Sequence, residues 1–343
     1  MKQDSNTPAS VGVPLRSEDC LSKSEAKQMI EGFASSKVLM IGDIILDEYR
    51  WGTALGLSAE TPTIVAKDDK TTVSIGGAGL YCRNMLALGG QVKFISLIGG
   101  DEFRRFAKSF RHKNLSKAFF EDKTRKTTVK SRFWVSGYKL LQWDQLDNRF
   151  ISEELESQIL AMIEKDLPEY DKLVVSDYRH GLISEGMAAK LVQVAKKHGK
   201  PIYVDSQVSQ RAGNHRWYVG ADFFCVNERE ALTVDADFLN RSIPDSLAAI
   251  TAELKAGTVL VKLGERGCSV MIDSKIVSVL PPPTEVRDTS GAGDAFFSVL
   301  SLAKGDLTEK HLAMANRWAS LSTTIKGAQP PTLSMLFDSF PKR

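Results

Sequence analysis

The runs KVLMIGD (37–43), YCRNMLALG (81–89) and VKFISLIG (92–99) decide the fold. The first and third are continuous apolar strands of the kind buried on both faces in a parallel sheet, and the second has helical periodicity. A further helix is predicted around DEFRRFAKSF (101–110), and further strands at KLVVSDY (172–178), PIYVDS (201–206), DFFCVN (222–227) and TVLVKLG (258–264), with helices between several of them. Strands alternating with helices make an α/β fold, a doubly wound and mostly parallel sheet. Two stretches break the rhythm. Residues 50–73 and 127–143 are rich in Thr, Val, Trp and Tyr with no helix between, and read as a small accessory β-sheet, a lid over the carboxyl ends of the parallel strands. The exposed edges of such lid strands invite pairing with a second copy, a homodimer.

Composition bounds the function. The 343 residues are 43% hydrophobic and 25% charged, values of a globular chain large enough to bury a substantial core. No apolar run approaches the roughly 18 residues that cross a membrane. A net charge of +3, spread along the chain, is not the footprint of a nucleic-acid binder. Cys20, Cys82, Cys225 and Cys268 fit no metal-ligand spacing and read as reduced thiols of a cytoplasmic protein. The five histidines are scattered, and none is assigned to metal or catalysis. Residues 1–36, polar and with no signal-peptide core, read as a mobile tail closed by a short helix near 24–33. The main domain then runs over 37–335.

The chemistry concentrates in DTSGAGDAF (288–296). TEVRDTS ahead of it reads as a strand end and turn, and AFFSVLSLAKG behind it as a helix stopping near Gly305. Gly291, Ala292 and Gly293 let backbone N–H groups crowd at the helix start and cup an anionic oxygen. Asp294, in the first turn, is near enough to take a proton from an alcohol attacking phosphorus. The simpler reading is a tight turn with a capping Asp.

Other candidates fall at strand ends, where a doubly wound sheet binds ligands. Asp43 and Asp47 in GDIILDEY could accept bonds from sugar hydroxyls; a turn or helix cap explains Asp43 equally well. Gly76 and Gly77 open the next helix. Asn227 and Glu230 in VNERE could organise water around Mg²⁺, or form a capping box. Gly264 and Gly267 in VKLGERG make a turn on which a nucleotide can rest, or a plain hairpin.

In order along the chain, GDIILDEY, SIGGAGLYCRN, LLQWD, SDYRHG, VNERE, VKLGERG and DTSGAGDAF resemble the ribokinase-like family, the PfkB carbohydrate kinases, over about 37–329. The resemblance implies ATP and Mg²⁺ as cofactors and a small sugar or sugar phosphate as partner. It makes Asp294 the base and 291–293 the anion hole. It sets Asn227 and Glu230 near Mg²⁺ through water, Lys262, Gly264 and Gly267 at the nucleotide-side turn, and Asn316 near the adenine. Asp47 and Asp144 become sugar contacts.

Within the family, GDIILDEYRWG, LSAETPTIVAK and VKSR, which supplies Lys130 and Arg132, resemble the heptose 7-phosphate kinases of ADP-heptose synthesis. Five positions depart from that subfamily. Leu80 stands where an asparagine contacts the sugar, His180 and Gln207 where lysines are expected, and Gly56 and Gln142 in place of arginines. Each lost charge-assisted hydrogen bond costs roughly 1.5–3 kcal/mol, so the grip on a phosphorylated sugar is thinned. Two other readings stay open: a different sugar acceptor, and a catalytically silent sugar- or nucleotide-binding protein.

Overall fold

The computed structural model describes residues 13–208 and 213–341. Fourteen strands occur in it. In chain order they are β1 (Leu15–Arg16), β2 (Lys37–Gly42), β3 (Ile44–Leu57), β4 (Ile64–Gly77), β5 (Gln91–Gly99), β6 (Leu115–Asp122) and β7 (Val129–Val135). There follow β8 (Tyr138–Gln145), β9 (Lys172–Asp177), β10 (Ile202–Ser206), β11 (Phe223–Asn227), β12 (Thr258–Lys262), β13 (Cys268–Ile272) and β14 (Lys275–Leu280).

Ten strands form one sheet in the order β1-β14-β13-β12-β11-β10-β9-β2-β5-β6, parallel except where β13 runs against both neighbours. Along β2 the side chains alternate between two cores. Val38 and Met40 join one layer with Tyr81, Met85, Phe297 and Trp318, and Leu39 and Ile41 join the other with Ile159, Leu191 and Ile250. That period of two, apolar on both faces, is the physical content of the continuous run in the sequence. The chain leaves β2 toward β5 and β6 on one side and returns through β9 to β12 on the other, so the carboxyl ends of β2 and β9 bound a topological switch point.

The second sheet has four strands in the order β4-β3-β7-β8. Strand β3 continues from β2 with only Asp43 between them, and β4 returns directly into the helix Ala78–Ala87. The expected accessory strands are thus longer than the composition suggested, because the strands run apolar-in to their roots before becoming polar.

Two expectations need correction. The first twelve residues of the tail lie outside the described residues, but from Leu15 the segment is part of the fold. Strand β1 pairs in parallel with β14, and Ser17 Oγ donates to Leu280 O at 2.5 Å. A helix follows over Lys23–Phe33, closed at its start by a Ser22–Glu25 capping box, and Ala26 and Phe33 enter the core. The segment TEVRDTS, read as a strand end, contains no strand. Strand β14 stops at Leu280, where Pro281, Pro282 and Pro283 supply no N–H to a ladder.

Candidate functional site

The site is assembled at the carboxyl ends of β9 to β12 and the start of the helix Ala292–Leu302. Gly291 is the N-cap of that helix with φ +82°, left-handed backbone in which a side chain is strained. Gly291, Ala292 and Gly293 line a cleft of about 1040 Å³ at this helix start, where the Ala292 N–H donates to Thr289 O at 3.2 Å. The helix is fastened at its far end, where Ser36 Oγ and the Lys172 ammonium donate to Leu302 O and Ala303 O, each at 2.7 Å.

Asp294 is buried in the first turn and lines the cleft. The Tyr178 hydroxyl donates to its Oδ1 at 2.6 Å. Burial, more than any other influence, raises the Asp294 carboxyl to about 7; the Tyr178 bond and the Lys262 charge oppose that, and the charges of Asp205 and Asp47 add to it. A carboxylate so poised is near neutrality, where proton transfer to a base is most efficient.

Behind the helix start, Lys262 at the end of β12 pairs with Asp205 of β10 at 3.2 Å. Burial works against its charge, but Asp205, Cys225 and Glu230 together raise its pKa. Asn227 ends β11 and forms a reciprocal cap with Glu230: Asn227 Oδ1 accepts from Glu230 N at 2.9 Å, and Glu230 Oε2 accepts from Asn227 N at 2.8 Å. The other oxygen, Glu230 Oε1, is buried with no partner. Burial raises Glu230 to about 7.

The turn between β12 and β13 carries Gly264 and Gly267, both on the cleft wall. At Gly267, φ is +79° and a Cβ would run into Val279 O. Pro281 to Thr284, Asn316, Ala319, Ser320 and Thr323 complete that end. Asn316 Nδ2 donates to Val279 O at 2.8 Å, tying its helix, Glu309–Thr323, to β14.

Nine sequence candidates therefore meet in one cleft: Gly291, Ala292, Gly293, Asp294, Asn227, Lys262, Gly264, Gly267 and Asn316. The remainder lie around it. Asp47 of β3 pairs with Arg132 of β7 at 2.6 Å, and Gly76 packs so closely on it that a Cβ would strike Asp47 Oδ2. Lys130 faces Asp144 in register across β7 and β8, and Gln142 Nε2 donates to both oxygens of Asp144, at 3.0 and 3.1 Å. Gly77 ends β4 at the start of the helix Ala78–Ala87. Asp43 takes the backbone N–H of Tyr178 at 2.9 Å and of His180 at 3.4 Å, so its carboxylate holds the segment after β9 and is absent from the cleft wall.

Of the five departures, Gln207 lines the cleft, His180 Nδ1 meets Asn148 Oδ1 at 2.8 Å, and Gly56 lies in open space near the tip of β3. Leu80 packs against Gly291. The sequence reading assigned no role to Tyr178 or Asp205. Both end apolar strands, Tyr178 in KLVVSDY and Asp205 in PIYVDS, and that position was the available signal.

A doubly wound, mostly parallel sheet beside a smaller second sheet defines a ribokinase-like fold. The chain belongs to the pfkB family of carbohydrate kinases, whose model matches residues 35–335, and it is a sugar kinase. It is 31% identical over 290 residues to the bifunctional protein HldE of Geotalea uraniireducens, covering 82% of this chain and 58% of that protein. It is also 31% identical to the bifunctional protein HldE of Rhodopseudomonas palustris, covering 90% of this chain and 64% of the relative. The chain thus spans about three fifths of these relatives' length. The fold is that of phosphofructokinase-2 from Escherichia coli, with a TM-score of 0.69 at 19% identity over 89% of this chain and 98% of the other. Arabidopsis thaliana ribokinase, solved with ribose and ATP, has a TM-score of 0.65 at 19% identity over 89% of this chain and 99% of that one. Among the described residues no helix is long and apolar enough to cross a membrane.

Proposed function

We propose that this kinase transfers the γ-phosphoryl group of ATP to a sugar phosphate, with Asp294 as base. The single observation that carries this is the Asp294 carboxylate, buried in the first turn of the helix that Gly291, Ala292 and Gly293 open on the cleft, and raised to about 7. Asp294 removes the proton of the acceptor hydroxyl as that oxygen bonds to the γ-phosphorus and the bond to the β-phosphate oxygen breaks, ADP leaving. The N–H groups of Gly291 and Gly293 hold the equatorial oxygens, whose charge they stabilise in a water-poor site, while the Ala292 N–H braces the turn by donating to Thr289 O. Lys262, Gly264, Gly267 and Asn316 lie along the nucleotide, and Asp47, Arg132, Lys130 and Asp144 along the acceptor.

The donors present suit Mg²⁺ held through water. Among the described residues no three carboxylate, histidine or thiol groups cluster tightly enough to ligate a metal directly, whereas Glu230 Oε1 is a buried acceptor without a partner and Asn227 faces the cleft. When bound, Mg²⁺ supplies charge neutralisation at the phosphates.

Heptose 7-phosphate is the acceptor favoured by the subfamily motifs and by the similarity to the bifunctional protein HldE. The test is ADP release from Mg·ATP with hexoses, heptoses and their phosphates, compared between wild type and Asp294→Asn. A loss of roughly 10²-fold or more in kcat with nucleotide binding retained is expected. Turnover equal in both proteins would defeat the assignment of the base. Inactivity with heptose 7-phosphate alone would remove only that acceptor. The cytoplasm, where ATP is available, is the compartment consistent with this chemistry and with four free cysteines.

The second sheet also supports a homodimer. Leu55, Leu57, Leu140, Leu141, Tyr138 and Trp143 are exposed on its strands, apolar surface that pairing with a second copy would cover. Light scattering should give twice the chain mass for wild type and the chain mass for Leu141→Glu with Trp143→Glu. A wild type that is monomeric at about 10 μM, a typical working concentration, would exclude the pairing.

A further inference from the structure

The turn that follows β9 is held in a conformation few residues adopt. Arg179 takes left-handed backbone with φ +66°, and Gly181 takes φ +89° where a Cβ would strike Arg149 O. Such backbone is strained at a residue other than glycine and persists only where its surroundings fix it. Two buried carboxylates do so, one from each side. Asp43, between β2 and β3, accepts the Tyr178 and His180 N–H groups on its Oδ2. Asp177, the last residue of β9, accepts the Arg179 N–H on its Oδ1 at 2.8 Å. Its Oδ2 is held in turn by Asn214 Nδ2 and the Tyr218 hydroxyl, both at 2.8 Å. Three consecutive N–H groups of one turn thus end on carboxylate oxygens.

The pairing of two acids is unfavourable in itself, since burial and the Asp177 charge both raise the Asp43 carboxyl. Backbone carbonyls or water close an ordinary turn without that penalty. What the turn carries accounts for its fixity. Tyr178 is its first residue, lines the cleft and donates to Asp294 Oδ1 at 2.6 Å. The phenol reaches that oxygen only while its backbone keeps its place, and the Tyr178 N–H is the one that Asp43 grips more closely, at 2.9 Å. Asp43 itself is buried and absent from the cleft wall. Resting on the assignment of Asp294 as base, we infer that Asp43 is a positioning residue: it acts without touching the acceptor, by holding the turn that aims the Tyr178 hydroxyl at Asp294.

The test is the pH profile of kcat/KM for ADP release from Mg·ATP with heptose 7-phosphate, or with the most active sugar of the panel above. The groups facing Asp294 are Tyr178, Asp205, Lys262 and Asp47; Asp177 and Tyr218 face Asp43, and Arg179 faces Asp177. Asp43→Ala should lower kcat/KM about tenfold, the scale of one lost hydrogen bond to a charged group. Its acidic limb should move to higher pH, as when Tyr178 releases the carboxylate. Loss of a neighbouring negative charge would by itself move that limb down, so the direction separates the two effects. Asp43→Asn keeps an oxygen for both N–H groups and should retain the wild-type limb. In a Tyr178→Phe background, Asp43→Ala should move the limb no further. Should the alanine variant fail to fold, Asp43→Ser, whose oxygen falls short of the turn, carries the same expectation. A limb unmoved in the folded variant, shifts that add in the double variant, or a rise in acceptor KM alone would overturn the inference and leave the base assignment standing. Wild-type turnover by Asp294→Asn would remove the base, and this inference with it.

Discussion

The bond from Tyr178 to Asp294 joins the end of one strand to the start of a distant helix, and it does two things at once. It occupies Oδ1, leaving Oδ2 for the acceptor, and it favours the ionised carboxylate against the burial that raises it. Tyr178→Phe removes the donor and keeps the ring. The carboxyl should then rise above about 7, and the acidic limb of the kcat/KM profile should move to higher pH. A purely structural tyrosine would change the height of the profile and leave the limb where it was. This residue also marks where sequence reading stopped. Gly291 to Asp294 are legible because their conformation is local, a glycine turn into a helix. Tyr178 acquires its role from a partner 116 positions away, which no local pattern encodes.

At the scale of elements, the pattern of apolar runs announced β2, β5, β9, β10, β11 and β12, the strands buried on both faces. It did not announce β1 or β6. Strand β1 has two exposed residues and owes its existence to β14, more than 260 positions later. Its attachment has a measurable result: deleting residues 1–22 removes the β1 pairing and the capping serine of the helix Lys23–Phe33, and should lower the melting temperature by several degrees. An unchanged melting temperature would mean the segment adds nothing to the fold. The turn at Gly267 is a second case. An alanine there must take a left-handed backbone and displace Val279 O, so Gly267→Ala should destabilise by about 1–3 kcal/mol, read in chemical denaturation. Gly264 has open space around it, and Gly264→Ala should cost less.

For the molecule as a whole, buried carboxyls dominate the pH dependence of stability below neutrality. Asp43, Glu230 and Asp294 are each raised to about 7 from ordinary values of 3.8, 4.5 and 3.8, with burial the main cause. A carboxyl whose folded pKa is raised stabilises the fold fully below its unfolded pKa, and that contribution is lost as pH climbs toward the folded value. The window is therefore about pH 4 to 7, with a slope of about 1.4 kcal/mol per pH unit for each group. His215, buried and held down to about 4, acts in the opposite sense between pH 4 and 6.5. Asp177 is raised by burial in the same sense as these carboxyls, and His311 is held down like His215; the raised carboxyls outnumber the lowered histidines, so the melting temperature should fall between about pH 5 and 7. In Asp294→Asn the fall should be shallower, making the variant more stable than wild type above pH 7. A melting temperature that rises through this range would contradict the account.

The single residue between β2 and β3 constrains how the cover can move. Strands β3 and β4 leave and rejoin the main body at Gly42–Ile44 and Gly77–Ala78, side by side, and no loop intervenes at either neck. Beside that stiff pair of necks near Asp47, β7 and β8 of the same sheet join the main body through longer connections at 123–128 and 146–152. Bending of the cover about the β3–β4 root moves the tip, at Leu57 and Ile64, furthest and leaves the root almost still. Ligand traffic should therefore be asymmetric: the tip can lift to admit or release a molecule while the groups nearest Asp294 keep their spacing, so the geometry for transfer survives each opening and need not be rebuilt on every cycle.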